Sequence, residues 1–207
     1  QDNLTMLVAF LLPATIGAVA IAEPLYTVFY GKPDSLALGL FILAMLQTVI
    51  LGLYTVLSPM IQALFQNRKA ILYFGYGVLV KLILQVPFIY VFKAYGPLLS
   101  TTIGLMIPIV LMYKEIHLVT HFNRKNVFKR SLLTAILTLI MLLVVLVAGF
   151  ILGLVIKPNG RVTSMIYVAL IGGVGIVVYG GLGLRLRFLD RFIGSKAASL
   201  RNKFHIS

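Results

Sequence analysis

Hydrophobic residues run through this chain in long blocks, not in the alternating or one-sided patterns of a soluble fold. Six stretches, roughly 5–30, 36–65, 70–92, 97–119, 130–155 and 163–184, reach the length of a bilayer span, which takes about 20 mostly apolar residues as a helix. Short connections separate them: GKPDS, QNRKA, KAYGP, a basic segment from His121 to Arg130, and KPNGR. A buried all-helical soluble protein does not account for six such runs. The pattern predicts an all-α, polytopic membrane bundle of six transmembrane helices over residues 1–184. A basic tail, 185–207, follows, with Leu189, Phe192, Ile193, Leu200 and Phe204 near helical spacing. Such a tail is expected to lie along an anionic inner membrane surface, with disorder as the alternative for its last residues.

Two of the blocks carry polar residues at membrane depth. In the second, Gln47, Thr48, Tyr54, Thr55, Ser58 and Gln62 fall on one side of a helix. Lipid offers no hydrogen bonds, so such a stripe faces protein or water. Packing between helices by polar side chains is one reading; a hydrated cavity is the other, favoured by the continuity of the stripe. In the third block Gly77, Lys81 and Gln85 share a face at i, i+4 and i+8. Lys81 sits near the middle of its run, where insertion costs about 2.5–3.5 kcal/mol. A lysine there is either satisfied by carbonyls or a carboxylate between helices, or it is an anion contact suited to a phosphate-bearing substrate.

Prolines 13, 59, 87 and 108 lie within or near the ends of spans, where each removes a backbone donor and bends the helix. The last span carries Gly172, Gly173, Gly175, Gly180 and Gly183 on roughly one side. Close helix packing explains them better than a nucleotide loop, because no strand precedes them.

Composition agrees with a lipid solvent. The chain is 60% hydrophobic and 11% charged, with a mean hydropathy of +1.04. Its net charge of +13, from 18 Lys+Arg against 5 Asp+Glu, would suggest nucleic acid in a soluble protein. Here the basic residues fall between apolar runs, so nucleic acid is excluded as a partner and membrane lipids take its place. Thirteen Lys and Arg lie on one side of the alternating loops and four (Lys32, Lys93, Lys157, Arg161) on the other. That asymmetry predicts both termini to be cytoplasmic. The chain begins at Gln1 with no charged leader region, and is expected to be a piece of a longer protein.

Catalytic signals are poor. There are no cysteines, which excludes thiol chemistry and Cys-based metal sites. His117 and His121 stand at i, i+4 with Glu115 nearby, but without the HExxH pattern they read as interfacial histidines and not as a metal site. The sequon Asn3-Leu4-Thr5 falls on the predicted cytoplasmic side and reads as chance. No paired carboxylates, nucleophile elbow or phosphate-binding loop appears. The chain is expected to be no enzyme and to hold no cofactor or metal.

The first block carries a family signal. LLPATIGAVAIAEPLYTVFYG, residues 11–31, places prolines, glycines and Glu23 in an apolar run. Through Leu12, Pro13, Gly17, Ala22, Pro24, Phe29 and Gly31 it resembles a helix of the bacterial flippases of the MOP exporter superfamily. The likeness is to the MurJ/YtgP/SpoVB group of lipid II flippases. LSPMIQALFQNRKA (57–70) and LVKLILQVPFIYVFKAYGPLLSTTIG (79–104) follow in the order of that group. The resemblance implies helices nine to fourteen of a fourteen-helix transporter, two lobes around a cationic cavity, and alternating access. It implies a lipid-linked oligosaccharide or lipid II as substrate, and a bacterial cytoplasmic membrane location. The family's substrate-binding arginines lie mainly in the first lobe, so the missing N-terminal lobe is an implied partner. The last two spans would form a groove for the lipid tail.

The candidate cavity residues are therefore Lys81, Gln85, Gln47, Tyr54, Ser58 and Gln62. Glu23, about four turns into a span entered from the cytoplasm, is an outer-gate or interfacial candidate. Pro13, Gly17, Pro24 and Pro59 are hinge candidates. The alternatives are a non-transporting membrane scaffold of cell-wall synthesis and, less well supported by the residues, a membrane transferase acting on polyprenyl phosphate.

Overall fold

The computed structural model describes residues 2–32, 34–120, 124–155 and 160–185, and all the regular structure among them is helical. The helices are α1 (Asp2–Ala20), α2 (Ala22–Tyr30), α3 (Ser35–Ala63), α4 (Asn67–Phe92), α5 (Gly96–Thr120), α6 (Arg124–Val155) and α7 (Arg161–Arg185), with a 3-10 turn, Lys93–Tyr95, between α4 and α5. In lipid every backbone polar group must be satisfied within the chain, and helices do this locally. Four helical runs are long and apolar enough to cross a membrane, or five if the bent pair α1–α2 is one span. Among the four, residues 67–120 form one 54-residue run. The predicted tail beyond Arg185, which ends α7, lies outside the described residues, as do His121 and Lys157.

Contacts divide the chain into two compact units. One comprises Gln1–Leu11 and Ser35–Ser131, the other Leu12–Asp34 and Leu132–Ser207.

In the first unit, Leu4 of α1, Leu57 and Ile61 of α3, Ala70 of α4, and Met112 and Ile116 of α5 form a buried cluster. The turn into α4 is tight. The amide of Phe65 donates to Gln62 O (2.9 Å) and that of Gln66 to Ile61 O (3.3 Å), closing α3 with the paired bonds of a Schellman cap. Phe65 holds the left-handed position of that cap (φ 58°), usually a glycine's place. Its side chain is 96% exposed, so no packing offsets the strain.

After the turn at Lys93–Tyr95, α5 returns antiparallel along α4, and the two backbones touch. A Cβ on Gly104 would stand 2.8 Å from the carbonyl oxygen of Gly77 and from Lys81 Cβ. One on Gly77 would run into the Gly104 carbonyl oxygen and Pro108 Cδ. Small residues permit this approach, and larger ones would separate the helices.

In the second unit the first apolar block is bent. The axis turns by 79° between the helix ending at Ala20 and α2. Pro24 has no N–H to carry the ladder on from Ala20, but in the first turn of a new helix that donor is not needed. The chain uses this: Ile21 leaves helical geometry (φ −114°, ψ 27°), its amide reaches back only to Ala18 O (3.3 Å), and Leu25 N restarts the ladder on Ile21 O (3.0 Å). Gly31, at φ 89°, ends α2 with its amide on Thr27 O (3.1 Å). The block expected as one run, 5–30, is thus two helices.

In this unit α2 packs along α7, and α6 meets α7 through side-chain tips. Tyr167 Oη donates to Gly149 O (2.8 Å). A Cβ on Gly175 would lie 3.3 Å from Val145 Cγ2, and one on Gly17 3.4 Å from Met141 Cε. The glycine face of α7 is divided: Gly175 and Gly183 are buried, as close packing would have them, and the others are not. A Cβ at Gly172, Gly173, Gly180 or Gly181 would meet open space.

Candidate functional site

The polar stripe of α3 lies along one edge of its packed face. Leu57 and Ile61, which anchor the buried cluster, are its neighbours around the helix. Tyr54, on the near edge, packs against that cluster and stacks on Phe74 of α4 with ring centroids 5.7 Å apart. Ser58 and Gln47 are half-buried, and Thr48, Thr55 and Gln62 are exposed.

Much of the stripe is satisfied within its own helix. Thr48 Oγ1 donates to Ala44 O (3.2 Å), Thr55 Oγ1 to Gly52 O (2.8 Å), and Gln62 Nε2 to Ser58 Oγ (3.3 Å). Threonine is tolerated at membrane depth by this back-bonding. The glutamine–serine pair retains unused donor and acceptor capacity on an exposed edge. Pro59 is also exposed on α3, and Pro13 is buried in α1.

The Gly77, Lys81 and Gln85 face of α4 is the one presented to α5. Gly77 is buried there, the Cα and Cβ of Lys81 pack over Gly104, and Lys81 and Gln85 are each half-buried. Lys81 makes no hydrogen bond or ion pair among the described residues. Its stem is therefore held by the backbone contact of two helices, which restricts the paths open to the ammonium.

The strongest polar contact of this unit escaped the sequence reading. Lys69 Nζ, in the first turn of α4, is ion-paired to Glu115 Oε1 of α5. Tyr73 Oη donates to Glu115 Oε2 at 3.1 Å. The Glu115 side chain is 15% exposed and that of Lys69 is 47% exposed, so the carboxylate is the member that needs its partners. The oxygen of the nearby Gln66 side chain is buried with no hydrogen-bond partner among the described residues. The signal was present: an antiparallel hairpin turning near Lys93 brings the first turns of α4 beside the last turns of α5. The sequence sets Glu115 beside His117 and His121, whereas its partner lies 46 residues away.

Glu23, Pro13, Gly17 and Pro24 belong to the second unit. Glu23 is exposed in the first turn of α2, just past the bend, and its carbonyl accepts from Thr27 Oγ1 (2.9 Å). A carboxylate in that turn complements the helix dipole. Pro24 sits at the bend itself, whereas Gly17 lies in unbroken helix against Met141.

The likeness read in the sequence is borne out by comparison with curated proteins. The chain is 31% identical over 203 residues to the lipid II flippase MurJ of Bacillus subtilis (strain 168), an alignment covering 95% of this chain and 37% of that protein. The chain spans little more than a third of the length of the curated relative it matches. No family model and no solved structure matches it. With its run of membrane-capable helices, the chain is that of a multi-pass cell-membrane protein.

Proposed function

We propose that this chain is the C-terminal portion of a flippase that moves a polyprenyl-pyrophosphate-linked cell-wall precursor, lipid II or a related polysaccharide intermediate, to the outer leaflet. The observation that carries this reading is the likeness to MurJ along almost the whole chain. In this reading six helices cross the membrane. The 67–120 run contributes two of them, α4 and α5, which the Gly77–Gly104 contact holds side by side and antiparallel. Both termini face the cytoplasm, the side that receives most of the Lys and Arg.

Alternating access requires a lobe that moves as a body and a surface that accommodates the cargo. The α3–α4–α5 hairpins supply the first, with Lys81, Gln85, Gln47, Tyr54, Ser58 and Gln62 toward a hydrated cavity. Lys81 provides a point charge for the pyrophosphate. The open glycine face of α7 leaves room for an isoprenoid chain. Pro13, Gly17, Pro24 and Pro59 are hinge positions in the same reading, and Pro24 already marks a bend.

The test is externalised lipid II in a strain depleted of its own flippase and supplied with the complete transporter that carries this chain. Restored growth together with restored externalisation supports the reading. Restored growth without externalisation would replace it with a scaffold of cell-wall synthesis.

A further inference from the structure

The aromatic contact between α3 and α4 lies on the same helix faces as the polar candidates. On α4, Phe74, Lys81 and Gln85 stand at i, i+7 and i+11, along one side of the helix. On α3, Gln47, Tyr54 and Ser58 stand at the same spacing. The opposite side of α4 carries Leu72, Leu79, Ile83 and Val86, all exposed and all apolar, as a lipid-facing surface requires. Phe74 therefore shares its side with the charge and the amide of α4, and not with its lipid-facing residues.

The stack of Tyr54 on Phe74 sets the register of these faces. The two helices run antiparallel from the turn at Phe65, and α3 stays beside the hairpin at its far end, where a Cβ on Gly39 would run into Tyr95 Oη. Seven residues further from the turn on each helix come Gln47 and Lys81, at one depth and about 10 Å from the ring pair. Both helices pack chiefly on α5 and little on one another, so no tight α3–α4 interface covers the rings. Phe74 is 45% exposed, and its plane is tilted 35° from that of Tyr54. Tyr54 is held from behind by the buried cluster. On the turn side of the rings, Ser58 and Gln62 present a hydroxyl and an amide with unused hydrogen-bonding capacity.

An open aromatic face beside a hydroxyl and an amide is the chemistry that recognises sugars. The electron-rich face of the ring takes the weakly positive C–H groups of a pyranose, and the neighbouring polar groups take its hydroxyls and fix its orientation.

We propose that Phe74, backed by Tyr54, is a stacking platform for the sugar of the cargo, with Ser58 and Gln62 on the sugar hydroxyls and Lys81 on the pyrophosphate. This rests on the flippase reading and deepens it. The occupant is a saccharide joined to a pyrophosphate, because the ring pair and the charge share a side and stand about 10 Å apart along it. The cargo also acquires a direction: its sugar lies toward the α3–α4 turn and its pyrophosphate toward mid-span.

The test compares two ligands on the complete transporter that carries this chain: bare polyprenyl pyrophosphate, and the same lipid bearing a disaccharide. Phe74→Leu keeps an apolar side chain but removes the ring. It should weaken equilibrium binding of the sugar-bearing lipid by about 3–10-fold and leave that of the bare lipid unchanged. Lys81→Gln should weaken both lipids alike. Phe74→Trp keeps an aromatic face and should retain the preference for the sugar. The chain has no tryptophan, so with any tryptophan beyond it replaced by phenylalanine, Phe74→Trp also reports directly. Its emission should shift with the sugar-bearing lipid and not with the bare one, and this reading holds should Phe74→Leu not fold. Equal loss of both lipids in Phe74→Leu would make the ring a packing element and overturn the proposal. So would unchanged binding of the sugar-bearing lipid, or an emission that answers both lipids equally. A wild-type transporter that binds neither lipid would overturn the flippase reading beneath it.

Discussion

The α4–α5 hairpin and the α6–α7 pair are both apolar antiparallel helices of similar length, yet they are joined in different ways. In α4–α5 the backbones meet at Gly77 and Gly104, and a charged cluster of Lys69, Tyr73 and Glu115 ties one end. In α6–α7 the contacts are side-chain tips, Val145 against Gly175 and Tyr167 against a carbonyl, and most of the glycines look onto open space. Composition does not separate the two. What matters is where a glycine faces: turned toward a neighbouring backbone it fastens two helices, and turned away it leaves a surface for something else.

The sharpest way to break this contrast is to fill both kinds of glycine. Gly77→Leu should destabilise the folded protein by about 3 kcal/mol or more, because the obstruction is a carbonyl and a proline ring that cannot yield. Gly173→Leu should change stability by less than about 0.5 kcal/mol while slowing transport, since it occupies the open face. Thermal unfolding in detergent and the externalisation assay read the two effects. Equal destabilisation by both would erase the distinction.

Smaller effects sharpen it. Tyr167→Phe removes the hydrogen bond to Gly149 O and should cost about 0.5–1.5 kcal/mol. Glu115→Gln weakens the charged end of α4–α5 and should cost less than about 1 kcal/mol, given the exposed lysine. The exchange Lys69→Glu with Glu115→Lys should recover part of that loss, and no recovery would mean the pair is not coupled. Phe65→Gly should be the mildest, a gain of at most about 1 kcal/mol from relief of the left-handed backbone. A loss on that substitution would mean the exposed ring has a partner.

Most of the helical architecture was readable because apolar run length measures bilayer thickness directly. Five of the six runs correspond each to one helix, with bounds differing by a few residues at most of their ends. The exception was the first, where Pro24 was visible in the sequence. A proline can be absorbed inside a long helix, as Pro59, Pro87 and Pro108 are, or it can begin a new one, and apolar content does not distinguish the cases. The direction in which a face points was equally hidden. The spacing of Gly77, Lys81 and Gln85 established that they share a face, but not that α5 lies against it. The glycines of α7 carry the same ambiguity with a mixed outcome, Gly175 packed on Val145 and Gly172, Gly173 and Gly180 facing open space. The Lys69–Glu115 pair needed the hairpin register, which a search among sequence neighbours does not supply.

The topology can be checked with thiols, because the chain has no cysteine of its own. Lys32→Cys and Arg68→Cys should label with an impermeant maleimide from opposite sides of the membrane, and labelling from the same side would overturn the arrangement proposed for α3.

The central claim is that Lys81 presents its charge to the anionic head of the cargo. Lys81→Cys in the complete transporter, with any cysteine beyond this chain replaced, tests it most directly through the rate of modification by a cationic, water-borne thiol reagent. The account predicts modification despite the mid-span position, and slowing by a pyrophosphate-linked precursor but not by the same lipid without its pyrophosphate. A cysteine that does not react, or one whose rate is indifferent to the precursor, would place Lys81 in the packing between α4 and α5 and out of the transport path.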